Sequence, residues 1–78
     1  MLLSEQIKAA RSLLGWDQAK LAIRASVGVA TVKRIESRDG VVGGTMDTIV
    51  KIKSALEEAG IEFIGTPDEG PGVRLWRK

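Results

Sequence analysis

Residues 15–36 read "GWDQAKLAIRASVGVATVKRIE", and the way this stretch divides into elements decides the fold. Gly15 suits the left-handed end of one helix, and Asp17 offers a carboxylate to the free N–H groups that start the next. The helix that follows carries Leu21, Ala22 and Ala25 on one side. Only Ser26-Val27-Gly28 separate it from another helix, expected from about Val29 to Ser37, in which Val32 and Ile35 are three apart with Lys33 and Arg34 between them. Two helices with so short a link must cross at a large angle, and the residues at the crossing must be small. Ala22 and Ala25 supply this on the first helix, and Gly28 and Ala30 at the start of the second, while Val32 and Ile35 pack back toward Leu21. This is the packing logic of a helix-turn-helix, whose second helix is held out from the body.

Working outward, Ser4 reads as the N-cap of a preceding helix, with Glu5 favourable near its positive end. Ile7, Ala10, Leu13 and Leu14 recur there at helical spacing. On the other side, "RDGVVGG" (38–44) is a glycine-rich loop with a turn at Asp39-Gly40 and a mobile segment expected at Gly43-Gly44. Thr45 caps a fourth helix in which Met46, Ile49, Ile52, Leu56 and Ala59 form one stripe, and Gly60 closes it.

Composition changes after Gly60. "IEFI" (61–64) and "VRLW" (73–76) read as strands, separated by the turn-rich connector "GTPDEGPG". Ile61 and Phe63 alternate to one side, with Val73 and Leu75 on one side of the other strand; Trp76 shares the opposite face with Arg74. Two such strands are marginal as a lone hairpin and need a partner, either the helical body or a second subunit. The expected architecture is mostly α, with four short helices and a short C-terminal two-stranded β element. Residues 1–60 form the helical domain, and 61–78 a β-like tail for packing or dimerisation.

A chain of 78 residues has room for one core. Domains of this size bury only ~60–65% of the surface their unfolded form exposes, so many gain from dimerising. No apolar run approaches the length of a membrane span, and "MLLSEQIKAARS" lacks the pattern of a signal peptide, so cytoplasm is the default location. With neither His nor Cys, disulfides and the usual zinc, thiol and histidine-base sites cannot be built, and no carboxylate or lysine constellation suggests catalysis. No enzyme, metal or cofactor is expected. The net charge of +2 is mild, but from Asp17 to Arg38 five basic residues face two acids. A local basic patch on a near-neutral chain points to a polyanionic partner; a merely solvated helix face is the alternative on charge alone.

The stretch "GWDQAKLAIRASVGVATVKRIE" resembles the lambda-repressor/Cro-type (XRE) helix-turn-helix family, and the resemblance runs from about Ser4 to Gly60. It is carried by Arg11, the "DQAKLA" start of the second helix, the "TVKRIE" end of the third and the closing fourth helix. It implies a lambda-repressor-like bundle acting as a sequence-specific regulator of transcription, read as a repressor. Such a protein binds double-stranded DNA as a homodimer on an inverted repeat, in a bacterial or phage-like cytoplasm, and is nucleoid-associated when bound. The recognition helix, about 29–37, would lie in the major groove.

Gln18 corresponds to the glutamine that hydrogen-bonds a DNA phosphate, and Lys20, Arg24 and Arg38 are further phosphate candidates around the motif. Arg11 and Glu36 match positions that pair as a partly buried structural ion pair. Base readers are expected at Val29, Ala30, Thr31, Lys33 and Arg34. Val29 and Ala30 can only pack against thymine methyl groups, so hydrogen-bonded readout falls to Lys33 and Arg34. For Val29 the alternative is core packing, and for Lys33 and Arg34 it is solvation or phosphate contact. Trp16 stands where the family has an apolar residue and reads as core.

The chain departs from the family pattern at Gly28-Val29-Ala30, which offers no side-chain hydrogen bonds, and at Ser26, where glycine is usual because the turn needs positive φ. The tail residues Ile61, Phe63, Val73, Leu75 and Trp76 are assigned to dimerisation or packing. They also motivate a different function, an antitoxin-like or adaptor module whose main role is binding a protein partner through an exposed strand edge. A third use of the same fold is RNA binding.

Overall fold

Ile7, Leu21, Ile52 and Leu56, each no more than 1% exposed, meet at the centre of the molecule. They come from three of four helices, α1 (Ser4–Leu14), α2 (Gln18–Ala25), α3 (Val29–Glu36) and α4 (Met46–Glu58), and α3 adds Val32 and Ile35. An antiparallel hairpin follows, β1 (Ile61–Thr66) and β2 (Glu69–Leu75). This computed structural model describes residues 2–77, so the tail assigned to 61–78 extends one residue beyond the described ones. Each large apolar side chain fully buried here contributes roughly 1.5–3 kcal/mol. Among the described residues no helix is long and apolar enough to cross a membrane.

The first helix starts differently from the sequence expectation. Leu3, not Ser4, is the extended cap residue, and Ser4 is the first helical residue. The cause lies in the loop after α3. Leu3 bridges Val41, Ser4 N–H donates to the Gly40 carbonyl at 2.9 Å, and Val42 N–H donates to the Leu2 carbonyl at 2.9 Å. This short β-like pairing holds Leu3 extended and drives Ser4 inward, where its hydroxyl is buried without a hydrogen-bond partner. Gln6 accepts the Leu3 N–H at 2.9 Å in place of a serine cap.

At the far end, Gly15 and Thr45 act where expected: Gly15 takes up the left-handed conformation after α1, and the Thr45 hydroxyl accepts the Thr48 N–H at 3.2 Å. Two side chains expected in the core are not there. Met46 is 73% exposed, because successive steps of three residues drift round a helix by about 60° each and leave it about 120° from Ile52. Ala55 fills the core-facing position instead. Leu13 is likewise exposed, while Leu14 beside it packs on the core.

The hairpin is longer than the sequence suggested. Its loop is only Pro67-Asp68, Thr66 pairs with Glu69, and most of "GTPDEGPG" lies in strand. Between the Ile64–Gly72 and Thr66–Glu69 pairs β2 carries one residue more than β1, and this bulge accommodates Pro71, which cannot donate to a ladder. Gly65 is required opposite it: a Cβ there would collide with the backbone carbonyls of Glu69 and Gly70. Trp76 lies just past the strand, and its N–H donates to the Gly60 carbonyl at 2.8 Å.

Ile61 pairs with Leu75 and Phe63 with Val73, so all four share one face, and that face packs on the helical body through α1 and α4. Buried Gln6 latches the two parts together. Its amide donates to the Ile64 carbonyl at 3.3 Å and the Gly72 carbonyl at 2.9 Å, one on each strand. On the opposite face Glu62, Arg74 and Trp76 are exposed, the Trp76 indole N–H donating to Glu62 at 2.8 Å and the Arg74 guanidinium 5.3 Å from the ring centroid.

Candidate functional site

The α2–α3 pair is set by three local devices. Asp17 accepts the Lys20 N–H at 2.7 Å and so caps α2. Ser26 ends α2 in the left-handed region, φ 58° and ψ 44°, the only non-glycine residue with positive φ among those described. The turn therefore keeps the geometry that favours glycine, and serine bears the strain. Gly28 opens α3 with no side-chain cap. Ala22 and Ala25 are buried at the crossing as the spacing requires, but Gly28 and Ala30 are exposed; Val27 and Val32 fill the other side. A helix turns about 100° per residue, so with Val32, Ile35 and Glu36 inward, the α3 positions of Ala30 and Arg34 face most directly away, with Lys33 to one side. Val29 lies at the margin, partly exposed, and Thr31 is half-buried.

The far end of α3 is fixed by an ion pair. Arg11 Nε donates to Glu36 Oε2 at 2.9 Å and Arg11 Nη2 to Glu36 Oε1 at 2.7 Å, while Arg11 Nη1 donates to the Trp16 carbonyl at 2.9 Å. The Glu36 side chain is only 3% exposed. Hydrogen bonding to Glu36 raises the Arg11 pKa above its already high ordinary value, against the opposing effect of burial. Gln18 Nε2 also donates to Glu36 Oε1, at 3.1 Å. One of its two amide hydrogens is thereby held, which leaves the second, with the free backbone N–H groups at the start of α2, for any outside acceptor.

Trp16 is buried, and two of the basic side chains lie against its ring. Lys20 Nζ is 5.7 Å and Arg24 Cζ 5.0 Å from the centroid, within the range of cation–π attraction. The sequence reading placed Trp16 in the core and the two cations on the surface but missed this stack. The signal was the spacing 16, 20, 24, which sets Lys20 and Arg24 one turn apart on α2. Arg34 leans away from the exposed crest of α3: a Cβ built on Gly44 would sit 3.8 Å from its Nη2. With Arg38, Val41, Val42 and Gly43 it borders a groove of about 310 Å³.

Unpaired cations are concentrated in this region, with Lys53 and Arg77 the further cases outside it among the described residues. Lys8 pairs with Asp39, Lys51 with Asp47, Arg74 with Glu62 and Arg11 with Glu36. Among the described residues Lys20, Arg24, Lys33, Arg34 and Arg38 pair with no carboxylate, and all five are exposed. An exposed set of unpaired cations beside a helix with small apolar side chains at its outer end is chemically suited to a polyanion. Among the described residues no group of His, Cys, Asp and Glu stands close enough to hold a metal ion. No protein-family model, curated protein or solved structure matches the chain.

Proposed function

We propose that the chain is a lambda-repressor-like helix-turn-helix protein that binds double-stranded DNA through α3 and regulates transcription, as a homodimer on an inverted repeat. The observation that supports this reading is that the five basic residues of α2, α3 and the start of the following loop, Lys20 to Arg38, are all exposed and without a carboxylate partner, although Asp17 and Glu36 lie in the same stretch. A self-contained solvated face would be expected to alternate its charges; this one leaves its neutralisation to a partner.

On this reading α3 lies in the major groove. Lys33 and Arg34 supply the hydrogen bonds to base edges, and Val29, Ala30 and Thr31 supply methyl contacts. Gln18, Lys20, Arg24 and Arg38 meet phosphates, which fix the register of the protein on the duplex. Arg11 and Glu36 touch no DNA; they hold α3 at its angle. Titration of short duplexes at several salt concentrations tests the assignment. Affinity should fall steeply with salt, and Arg34→Ala should reduce discrimination between a selected site and random DNA while the melting temperature is kept. Binding that ignores salt, or discrimination unchanged in Arg34→Ala, would remove α3 as the reader.

A second reading, an adaptor or antitoxin-like module, draws on Trp76. This side chain is 60% exposed, yet it is held in place by Glu62 and Arg74 and borders a groove that also includes Leu13 and Ala59. An ordered, exposed tryptophan beside an arginine is a common anchor of protein interfaces. Stable co-purification of a stoichiometric protein partner, lost in Trp76→Ala, would favour it.

A further inference from the structure

Ile61, Phe63, Val73 and Leu75 pack on the helical body, which leaves Trp76 as the hairpin's large exposed apolar side chain. A more extended exposed apolar surface is found elsewhere. Val41, Met46 and Val50 are 48%, 73% and 51% exposed, and they rim one groove of about 360 Å³ floored by Leu2, Val42 and Ile49. Its only charged lining residue is Lys53. We propose that this groove, on the first half of α4 and the loop before it, is the surface through which two copies of this chain pair.

Three observations select a second copy as the occupant. The groove shares Val41 and Val42 with the basic groove of Arg34 and Arg38, so it lies on the flank beside the α3 face and not behind it. The molecule measures 30 × 28 × 19 Å. Two copies with their recognition helices one turn of duplex apart, ~34 Å, would stand side by side at a spacing close to one molecular width, near enough for their flanks to touch. Finally, the patch suits a symmetric contact: it is apolar, centred on a flexible methionine, and has no pair of opposed charges that would demand a differently charged partner. The contact is small beside the ~800 Å² that each partner of a standard interface gives up, so the free dimer is weak and DNA strengthens it.

This inference rests on the duplex-DNA reading for its spacing argument, and its test separates the two. Sedimentation equilibrium of the full chain, from micromolar to millimolar concentration, measures pairing without DNA. Fluorescence polarisation with a short random duplex at low salt measures DNA binding. Val50→Glu and Met46→Glu each change an exposed side chain and should weaken self-association at least about tenfold, with the fold retained by circular dichroism. Leu13→Glu, at an exposed apolar side chain outside this groove, should pair as wild type does. A cysteine-free chain also permits a direct check, since Val50→Cys should be captured as a dimer by a short bifunctional thiol reagent and Leu13→Cys should not. Undiminished pairing in both glutamate variants, loss of pairing in Leu13→Glu, or a monomeric wild type throughout the range would overturn the proposal. A wild type that pairs through Val50 but ignores the duplex would uphold this contact and refute the DNA reading.

Discussion

Arg11 on α1 and Glu36 at the end of α3, twenty-five residues apart in sequence, share two hydrogen bonds of 2.9 and 2.7 Å, and Glu36 is almost wholly removed from water. The pair therefore orients α3 against the helix that does not touch it in sequence. A buried carboxylate without its arginine is uncompensated, whereas an apolar replacement of both partners is often neutral.

Arg11→Met should accordingly destabilise the fold by about 3–5 kcal/mol, and Arg11→Met with Glu36→Met should recover most of that loss. Denaturant melts of the two variants check it. A single variant that loses less than about 1 kcal/mol would place Glu36 in water and end the structural assignment.

Ser26 at φ 58° gives a prediction of opposite sign. A left-handed non-glycine residue costs roughly 1–2 kcal/mol, and glycine's greater unfolded-state freedom offsets about 0.5–1 kcal/mol of the relief. Ser26→Gly should therefore raise stability by about 0.5–1 kcal/mol, a few degrees in Tm for a domain of this size. A lower Tm would mean that the serine hydroxyl contributes something its geometry does not reveal.

Gln6 joins α1 to both strands through the Ile64 and Gly72 carbonyls. Gln6→Met keeps the volume but strands these carbonyls, at a cost of about 1–3 kcal/mol. Hydrogen exchange should show the amides of β1 and β2 losing protection ahead of those in α2 and α4. Uniform loss across the chain, or none, would contradict the latch.

Ser4 distinguishes the two accounts of the first helix. As an N-cap, Ser4→Ala would lose about 1 kcal/mol. Buried with an unpartnered hydroxyl, it should leave stability unchanged or raise it, because the unsatisfied group is removed. A thermal melt reads the sign directly.

These cases also show where the sequence was legible. Helices α1 to α4 followed from apolar spacing with Asp17, Thr45 and Gly15 at their ends, because capping and periodicity are local. Ser4 failed as a cap because its position is decided by Gly40 and Val41, more than thirty residues away. Met46 failed because three-residue steps drift round the helix and carry it off the buried face. The hairpin came out longer because glycine and proline, read as connector, sit in a bulge that needs them. At the candidate site, the unpaired state of Lys20, Arg24, Lys33, Arg34 and Arg38 could not be read from composition, since it depends on which acids lie near in space. Gln18's bond to Glu36 was hidden for the same reason.

The central claim is that α3 reads a duplex in register with a second copy of itself. Selection of bound duplexes from a randomised pool by the wild-type chain tests it most directly. The account predicts enrichment of a two-fold symmetric site whose half-sites are centred about one helical turn, ~34 Å, apart, with base preferences that relax in Arg34→Ala. A pool that stays random through successive rounds, or an enriched site indifferent to Lys33 and Arg34, would contradict it.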